Sequence, residues 1–131
     1  TTPNGDTLTY SYDGAHRLTS RDAPGTGYDL SLTYDAFGRV ATKTFGGVTT
    51  TTSYDGLGRP STRADTVDGV TFTTVYGYDT LDRVTSIQYP STHTAGYQYT
   101  SGGRLQSVNW LGQPLAALTY HNETGNLTSY T

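Results

Sequence analysis

Aspartates recur in this sequence at Asp13, Asp35, Asp55 and Asp79, and arginines at Arg17, Arg39, Arg59, Arg83 and Arg104. A series of carboxylates raises the question of calcium. A calcium ion takes about six to eight oxygens from one tight loop. One Asp every twenty or so residues, with no Asp-x-Asp-x-Asp-Gly loop, does not supply them. The carboxylates are instead expected to cap turns, and no metal site is assigned. The arginines could gather an anion, but each stands four residues after a repeated Asp, or after Thr100 in the fifth case. A cross-turn ion pair plus stacking on Tyr faces accounts for them.

Catalytic constellations are missing. His16, His93 and His121 share no spacing with a nucleophile, and there is no Gly-x-Ser-x-Gly elbow. Glu123 is the sole Glu, so nothing pairs it with an Asp for glycoside hydrolysis. With no Cys, thiol catalysis, disulfides and thiolate metal sites are excluded. No catalytic residue and no cofactor is assigned. Trp110 stands apart, in Asn109-Trp110-Leu111-Gly112-Gln113-Pro114. Its ring, beside Asn109 and Gln113, could stack on a sugar or fill a core. Tyr89, in Gln88-Tyr89-Pro90, is a second ligand candidate. Asn122 and Asn126 begin glycosylation sequons.

The elements that must position these residues are strands. Tyr dominates the aromatics, with 12 against 3 Phe and 1 Trp, and Gly stands at 16. Tyr and Thr favour strands, and Gly marks turns. No segment combines helical apolar spacing with good helix formers. Net charge is −3, which argues against a nucleic-acid partner. No apolar run is long enough for a membrane helix, and no membrane insertion is expected. No signal peptide opens the chain and no Met occurs, so the sequence is expected to be a segment of a longer polypeptide.

A seven-residue word repeats. Tyr12-Asp13-Gly14-Ala15-His16-Arg17-Leu18 is followed by Tyr34-Asp35-Ala36-Phe37-Gly38-Arg39-Val40. Then come Tyr54-Asp55-Gly56-Leu57-Gly58-Arg59-Pro60 and Tyr78-Asp79-Thr80-Leu81-Asp82-Arg83-Val84. Tyr99-Thr100-Ser101-Gly102-Gly103-Arg104-Leu105 keeps the frame without the Asp, and a degenerate sixth copy begins at Tyr120. The Tyr anchors are 22, 20, 24, 21 and 21 residues apart. Asp-x-x-Gly is a type I turn signature, with Gly supplying the left-handed closing residue. Upstream of each turn the residues alternate, as in Val70, Phe72, Thr74, Tyr76 and Tyr78 on one face. Second strands are expected from Leu18, Val40, Val84, Leu105 and Leu127, with further breaks at Pro24-Gly25, Gly46-Gly47, Asp68-Gly69, Gly96 and Gly112.

The fold class is therefore all-β. Tandem antiparallel hairpins, about six of roughly 20–24 residues each, form one domain over residues 1–131. The expected form is a curled meander, either a piece of a β-shell or a small closed barrel-like array. The Tyr column is expected to supply most of the core.

These words resemble the YD-repeat, or Rhs-repeat, family, whose pattern is roughly Tyr-Asp-x-x-Gly-Arg-Leu. The match covers nearly the whole chain. Tyr34 to Val40 and Tyr54 to Arg59 fit in full, while His16 and Asp82 replace the Gly. The family includes bacterial Rhs polymorphic toxins, insecticidal toxin complexes, wall-associated proteins and teneurins. The resemblance implies a secreted or cell-surface protein whose repeats spiral into a hollow shell. In the toxin members that shell encloses a C-terminal toxin, cleaved beyond an Asp-Pro-x-Gly-Leu motif. No Asp-Pro occurs here, so neither cleavage site nor toxin is expected.

Two functional readings follow: a structural shell segment, and a carbohydrate-binding module built of the same hairpins. The expected partners are further repeats or another copy, joined through open edges near Thr7–Tyr12 and Leu127–Thr131, with glycans as a second class. Three more basic residues, Arg21, Lys43 and Arg63, lie four residues beyond the turn Arg in repeats one to three. The equivalent positions in repeats four and five are Ile87 and Val108. Exposed Arg21, Lys43 and Arg63 and buried Ile87 and Val108 are expected.

Overall fold

The computed structural model describes residues 5, 7–25, 27–121 and 124–131. Twelve strands follow one another: β1 (Thr9–Tyr12), β2 (Leu18–Asp22), β3 (Leu30–Tyr34), β4 (Val40–Phe45), β5 (Val48–Tyr54), β6 (Pro60–Val67), β7 (Val70–Tyr78), β8 (Val84–Gln88), β9 (Thr94–Tyr99), β10 (Leu105–Trp110), β11 (Gln113–Tyr120) and β12 (Leu127–Tyr130). Strand order in the sheet equals chain order, and the determined pairings are antiparallel. Among the described residues β1 and β12 have one strand neighbour each. The chain is an open meander, and the closed barrel-like alternative is not adopted.

The six word turns each join an odd strand to the next even one. The return connections are more varied. Gly46 and Gly47 (φ 57° and 79°), Asp68 and Gly69 (48° and 78°), and Leu111 and Gly112 (52° and 76°) make two-residue loops with positive φ at both positions. This is the turn whose twist matches paired strands. Between β2 and β3, Asp29 Oδ1 accepts the N–H of Ala23 at 2.8 Å. Gly96 does not break the chain. It lies inside β9, opposite Asn109, and the real return turn is Tyr89–His93. A Cβ there would meet the Asn109 side chain at 3.8 Å, an ordinary contact.

Packing divides the chain into two units, Thr1–Thr73 and Thr74–Thr131. In the first, cross-strand partners sort by chemistry. One face carries Leu30 opposite Phe45, Leu32 opposite Lys43 and Tyr34 opposite Val40. The other carries a row of hydroxyls, in which Ser11, Ser20, Ser31, Thr44, Thr49 and Thr66 oppose one another in turn. Hydroxyl–hydroxyl hydrogen bonds tie Thr44 to Thr49 (3.0 Å) and Thr66 to Thr71 (2.9 Å). The second unit repeats the division. Tyr76, Ile87, Ala95, Tyr97, Val108 and Trp110 share one face, while Gly77, Ser86, Gly96, Gln98, Ser107 and Asn109 share the other.

The Tyr column is not a buried core. Only Ala23 and Ala95 are buried among the described residues, and Tyr12 is 60% exposed. The reason is physical: within each unit every strand neighbours others edge to edge, and no second layer packs on the sheet, so the large side chains stay half-exposed.

Candidate functional site

The residues singled out by the repeat come together at the word turns. In the first turn the Asp13 N–H donates to Arg17 O (2.9 Å), and the His16 N–H donates to Asp13 O (3.0 Å). Asp13 Oδ1 accepts from the N–H of Ala15 (2.9 Å) and of Arg17 (3.0 Å), while Oδ2 accepts from Arg17 Nε (2.8 Å). One carboxylate thus caps the turn and fixes its Arg. The same set recurs at Asp35 with Phe37 and Arg39, at Asp55 with Leu57 and Arg59, and at Asp79 with Leu81 and Arg83.

These contacts hold the four carboxyls below the usual carboxylate range. For Asp13 and Asp55 the largest influence is the backbone N–H of the turn Arg, opposed by partial burial. For Asp35 and Asp79 burial is the largest single influence and pushes upward, but the backbone and guanidinium donors together outweigh it.

His16 and Asp82, which stand where Gly is expected, take the same left-handed backbone at φ 61° and 62°. The turn therefore survives the substitution at some cost in strain. In the fifth repeat Thr100 replaces the Asp, and its hydroxyl accepts the Arg104 N–H at 3.1 Å. The sixth turn is one residue longer, with the Gly125 N–H donating to His121 O. Asn122 and Glu123 lie outside the described residues. Tyr89–His93 adopts the word turn without the word: the Tyr89 N–H donates to His93 O (2.8 Å) and the Thr92 N–H to Tyr89 O (2.9 Å).

Four of the turn Arg then reach the next repeat within their own unit. Arg17 lies over the ring of Tyr34 (4.4 Å to the centroid), Arg39 over Tyr54 (4.1 Å), Arg83 over Tyr99 (4.5 Å) and Arg104 over Tyr120 (5.6 Å). The Tyr hydroxyl completes the link by donating to the carbonyl just after that Arg. Tyr34 bonds Leu18 O (2.7 Å), Tyr54 Val40 O (2.9 Å), Tyr99 Val84 O (2.8 Å) and Tyr120 Leu105 O (2.7 Å). The guanidinium also lies beneath the next turn. A Cβ at Gly38 would meet Arg17 Nη1 at 3.3 Å, and one at Gly58 would meet Arg39 Nη1 at 3.4 Å. At Gly38 and Gly58 a side chain would thus crowd the guanidinium as well as strain φ, which the word alone does not reveal. One junction therefore comprises Asp and Arg from one hairpin and Tyr and Gly from the next.

Trp110 and Tyr89 stand together, with ring centroids 5.6 Å apart and planes tilted by 50°. His93 meets Trp110 edge-on at 5.7 Å. Burial, and then the adjoining Tyr89, push the Tyr97 hydroxyl above its usual value. Gln113 opposes Trp110, but Asn109 points to the other face with Gly96. The four ligand candidates therefore do not converge on one point.

Ile87 and Val108 are half-buried, while Lys43 and Arg63 are exposed, as expected in direction. Arg21 departs from the expectation. It is half-buried, donates to Tyr28 O (2.8 Å) and lies 5.8 Å from the Phe45 ring centroid, which itself stacks on Tyr28. Among the described residues, no three His, Cys, Asp or Glu side chains are gathered as a metal site would need.

A single-layer sheet with one junction repeated along it defines a hairpin-repeat wall. The chain matches the teneurin YD-shell family over residues 2–129 and belongs to it. Among solved structures, the crystal structure of TcdB2-TccC3-Cdc42 matches 92% of this chain and 7% of its own, at 18% identity and a TM-score of 0.74. That of TcdB2-TccC3 without the hypervariable C-terminal region matches 92% and 9%, at 14% identity and a TM-score of 0.65. A Photorhabdus luminescens Tc holotoxin pore matches 92% and 9%, at 18% identity and a TM-score of 0.55. The chain thus spans less than a tenth of the length of these structures. No curated protein matches it.

Proposed function

We propose that the chain is one non-catalytic repeat domain in the wall of a large secreted or surface YD-shell protein. The observation that carries this reading is the junction. The repeated Asp, Arg and Tyr side chains serve to fasten one hairpin to the next rather than presenting a reactive centre. The partners are further repeats, which add at the strand edges of β1 and β12. Cryo-electron microscopy of the parent polypeptide tests this. Residues 1–131 should form contiguous wall strands, whereas a separate bead tethered outside a shell would refute the reading.

A second reading, glycan binding, draws on the Trp110–Tyr89 pair, since aromatic faces suit the C–H faces of sugars. It predicts binding on a glycan array that Trp110→Ala abolishes. The wall reading predicts none, because the polar groups that would orient a sugar do not converge there.

A further inference from the structure

We propose that Asp68–Gly69 is a self-modification site, at which the chain's own backbone converts Asp68 to isoaspartate. The reaction needs no partner but water. The Gly69 backbone nitrogen gives up its proton and attacks Asp68 Cγ. A carbon–nitrogen bond forms, the Cγ–OH bond breaks and water leaves, closing a cyclic imide. Water then opens the imide at the main-chain carbonyl, so the peptide link passes to the side-chain carbonyl. Nothing is oxidised or reduced, and the main chain is longer by one methylene. The product's free α-carboxyl group is what an isoaspartyl carboxyl methyltransferase recognises.

Glycine after the Asp favours this step, because no side chain shields the attacking nitrogen. Three pairs in the chain qualify: Asp13-Gly14, Asp55-Gly56 and Asp68-Gly69. A Cβ at any of the three glycines would meet nothing within 4 Å, so access to the nitrogen does not separate them. The carboxyl group does. Its oxygen leaves readily only from the neutral acid. Asp13 and Asp55 are half-buried, and each accepts two backbone N–H bonds and one from the Nε of its turn Arg. These donors, the backbone N–H of the turn Arg foremost, keep both carboxyls ionised to lower pH. Turning either toward the next nitrogen also breaks the cap. Asp68 is exposed, and the described residues give its carboxylate no hydrogen bond or ion pair. Its backbone sits in the left-handed region at φ 48°, uncommon for a residue with a Cβ. The same residue pair is thus a cap in the word turns and an open electrophile in the return turn between β6 and β7.

The test is ageing of the whole chain in an Asn4→Gln background, because Asn4-Gly5 reaches the same product by losing ammonia. The chain is held for weeks in warm, mildly acidic buffer, with its fold checked by circular dichroism, and beside it in concentrated urea. Isoaspartate is counted by methyl transfer from S-adenosylmethionine with an isoaspartyl methyltransferase. Fragmentation mass spectrometry of tryptic peptides places it, since residues 13, 55 and 68 fall in different peptides. In the folded chain residue 68 should convert about tenfold or more faster than 13 or 55, because the capped pairs must first give up their hydrogen bonds. In urea the three should convert at similar rates. Asp68→Gly, which copies the Gly46-Gly47 loop, should keep the fold and lose the signal at this site. No isoaspartate at residue 68 of the folded chain overturns the proposal, as does residue 13 or 55 keeping pace with it. So does the same ranking in urea, which would trace the difference to local sequence rather than to the cap.

Discussion

Tyr54→Phe isolates one hydrogen bond of one junction. The change deletes the hydroxyl that donates to Val40 O at 2.9 Å and leaves the ring under Arg39. A hydrogen bond of this kind contributes about 0.5–1.5 kcal/mol net. Unfolding entropy of about 2.1 cal/mol/K per residue converts that to a fall in Tm of roughly 2–5 °C for a chain of this length. Tyr54→Leu removes the ring as well, and with it a cation–π contact of about 0.5–1 kcal/mol at a half-exposed site. A double-mutant cycle of Tyr54→Leu with Arg39→Met should return a coupling of that size. The assay is thermal unfolding followed by circular dichroism and calorimetry. Tyr34→Phe, Tyr99→Phe and Tyr120→Phe delete the equivalent bond and should cost the same within about 0.5 kcal/mol. Tyr12→Phe, at a 60% exposed residue, is the control and should be close to neutral. A Tyr54→Phe variant as stable as the parent, with no coupling to Arg39, would refute the claim that these bonds hold the wall together.

Acid should weaken the fold through the turn carboxylates. Their folded values lie below the ordinary 3.8. Their contribution is therefore complete above 3.8, begins to fail as pH drops past it, and is gone below the folded values. Tm measured between pH 6 and pH 2 should show this loss, and Asp35→Asn with Asp55→Asn should flatten it. Gly58→Ala should destabilise by about 1–2 kcal/mol, because φ is +86° and the new Cβ meets Arg39 Nη1. Gly14→Ala, with normal φ and open space around it, should be near neutral in the same denaturant titration.

The hairpins were legible because their information is local. Tyr-Asp-x-x-Gly-Arg specifies a capped turn within seven residues, and period-two alternation on either side specifies strands. The junction was half-legible: Arg stacking on Tyr was expected, but its partner lies 15 to 17 residues on, as with Arg39 and Tyr54 or Arg17 and Tyr34. The signal was there, since Arg39 and Arg83 each precede a repeat Tyr at nearly fixed distance. Tyr89–Thr92 was missed as a turn because it has neither Asp nor Gly at the diagnostic positions. Pro90, at the second position, was the remaining clue. Alternation tells which residues share a face, not whether anything lies against that face.

Because no second layer packs on the sheet within either unit, resistance to opening should track junction quality repeat by repeat. The junctions are not equal. At Arg17, Arg39 and Arg83 the guanidinium is pinned by an Asp and sits 4.1–4.5 Å from its ring. Arg104 has Thr100 at the Asp position, is exposed, and sits at 5.6 Å. A hydroxyl accepts the backbone N–H but supplies no negative charge to orient the guanidinium. Hairpin β11–β12, which this junction holds, should therefore open more often than β3–β4 or β5–β6. Hydrogen exchange should show it, with amides of Leu118 and Thr119 exchanging faster than those of Leu32 and Thr52. Thr100→Asp should restore the missing partner and draw Arg104 onto Tyr120. An exposed ion pair of this kind is worth about 0.2–1 kcal/mol. The gain should appear as slower exchange at Leu118 and Thr119, with Leu32 and Thr52 unchanged. If exchange slows everywhere, the repeats are not independent. If it slows nowhere, the Asp acts on its own turn alone and the charge has no part in fastening the next hairpin.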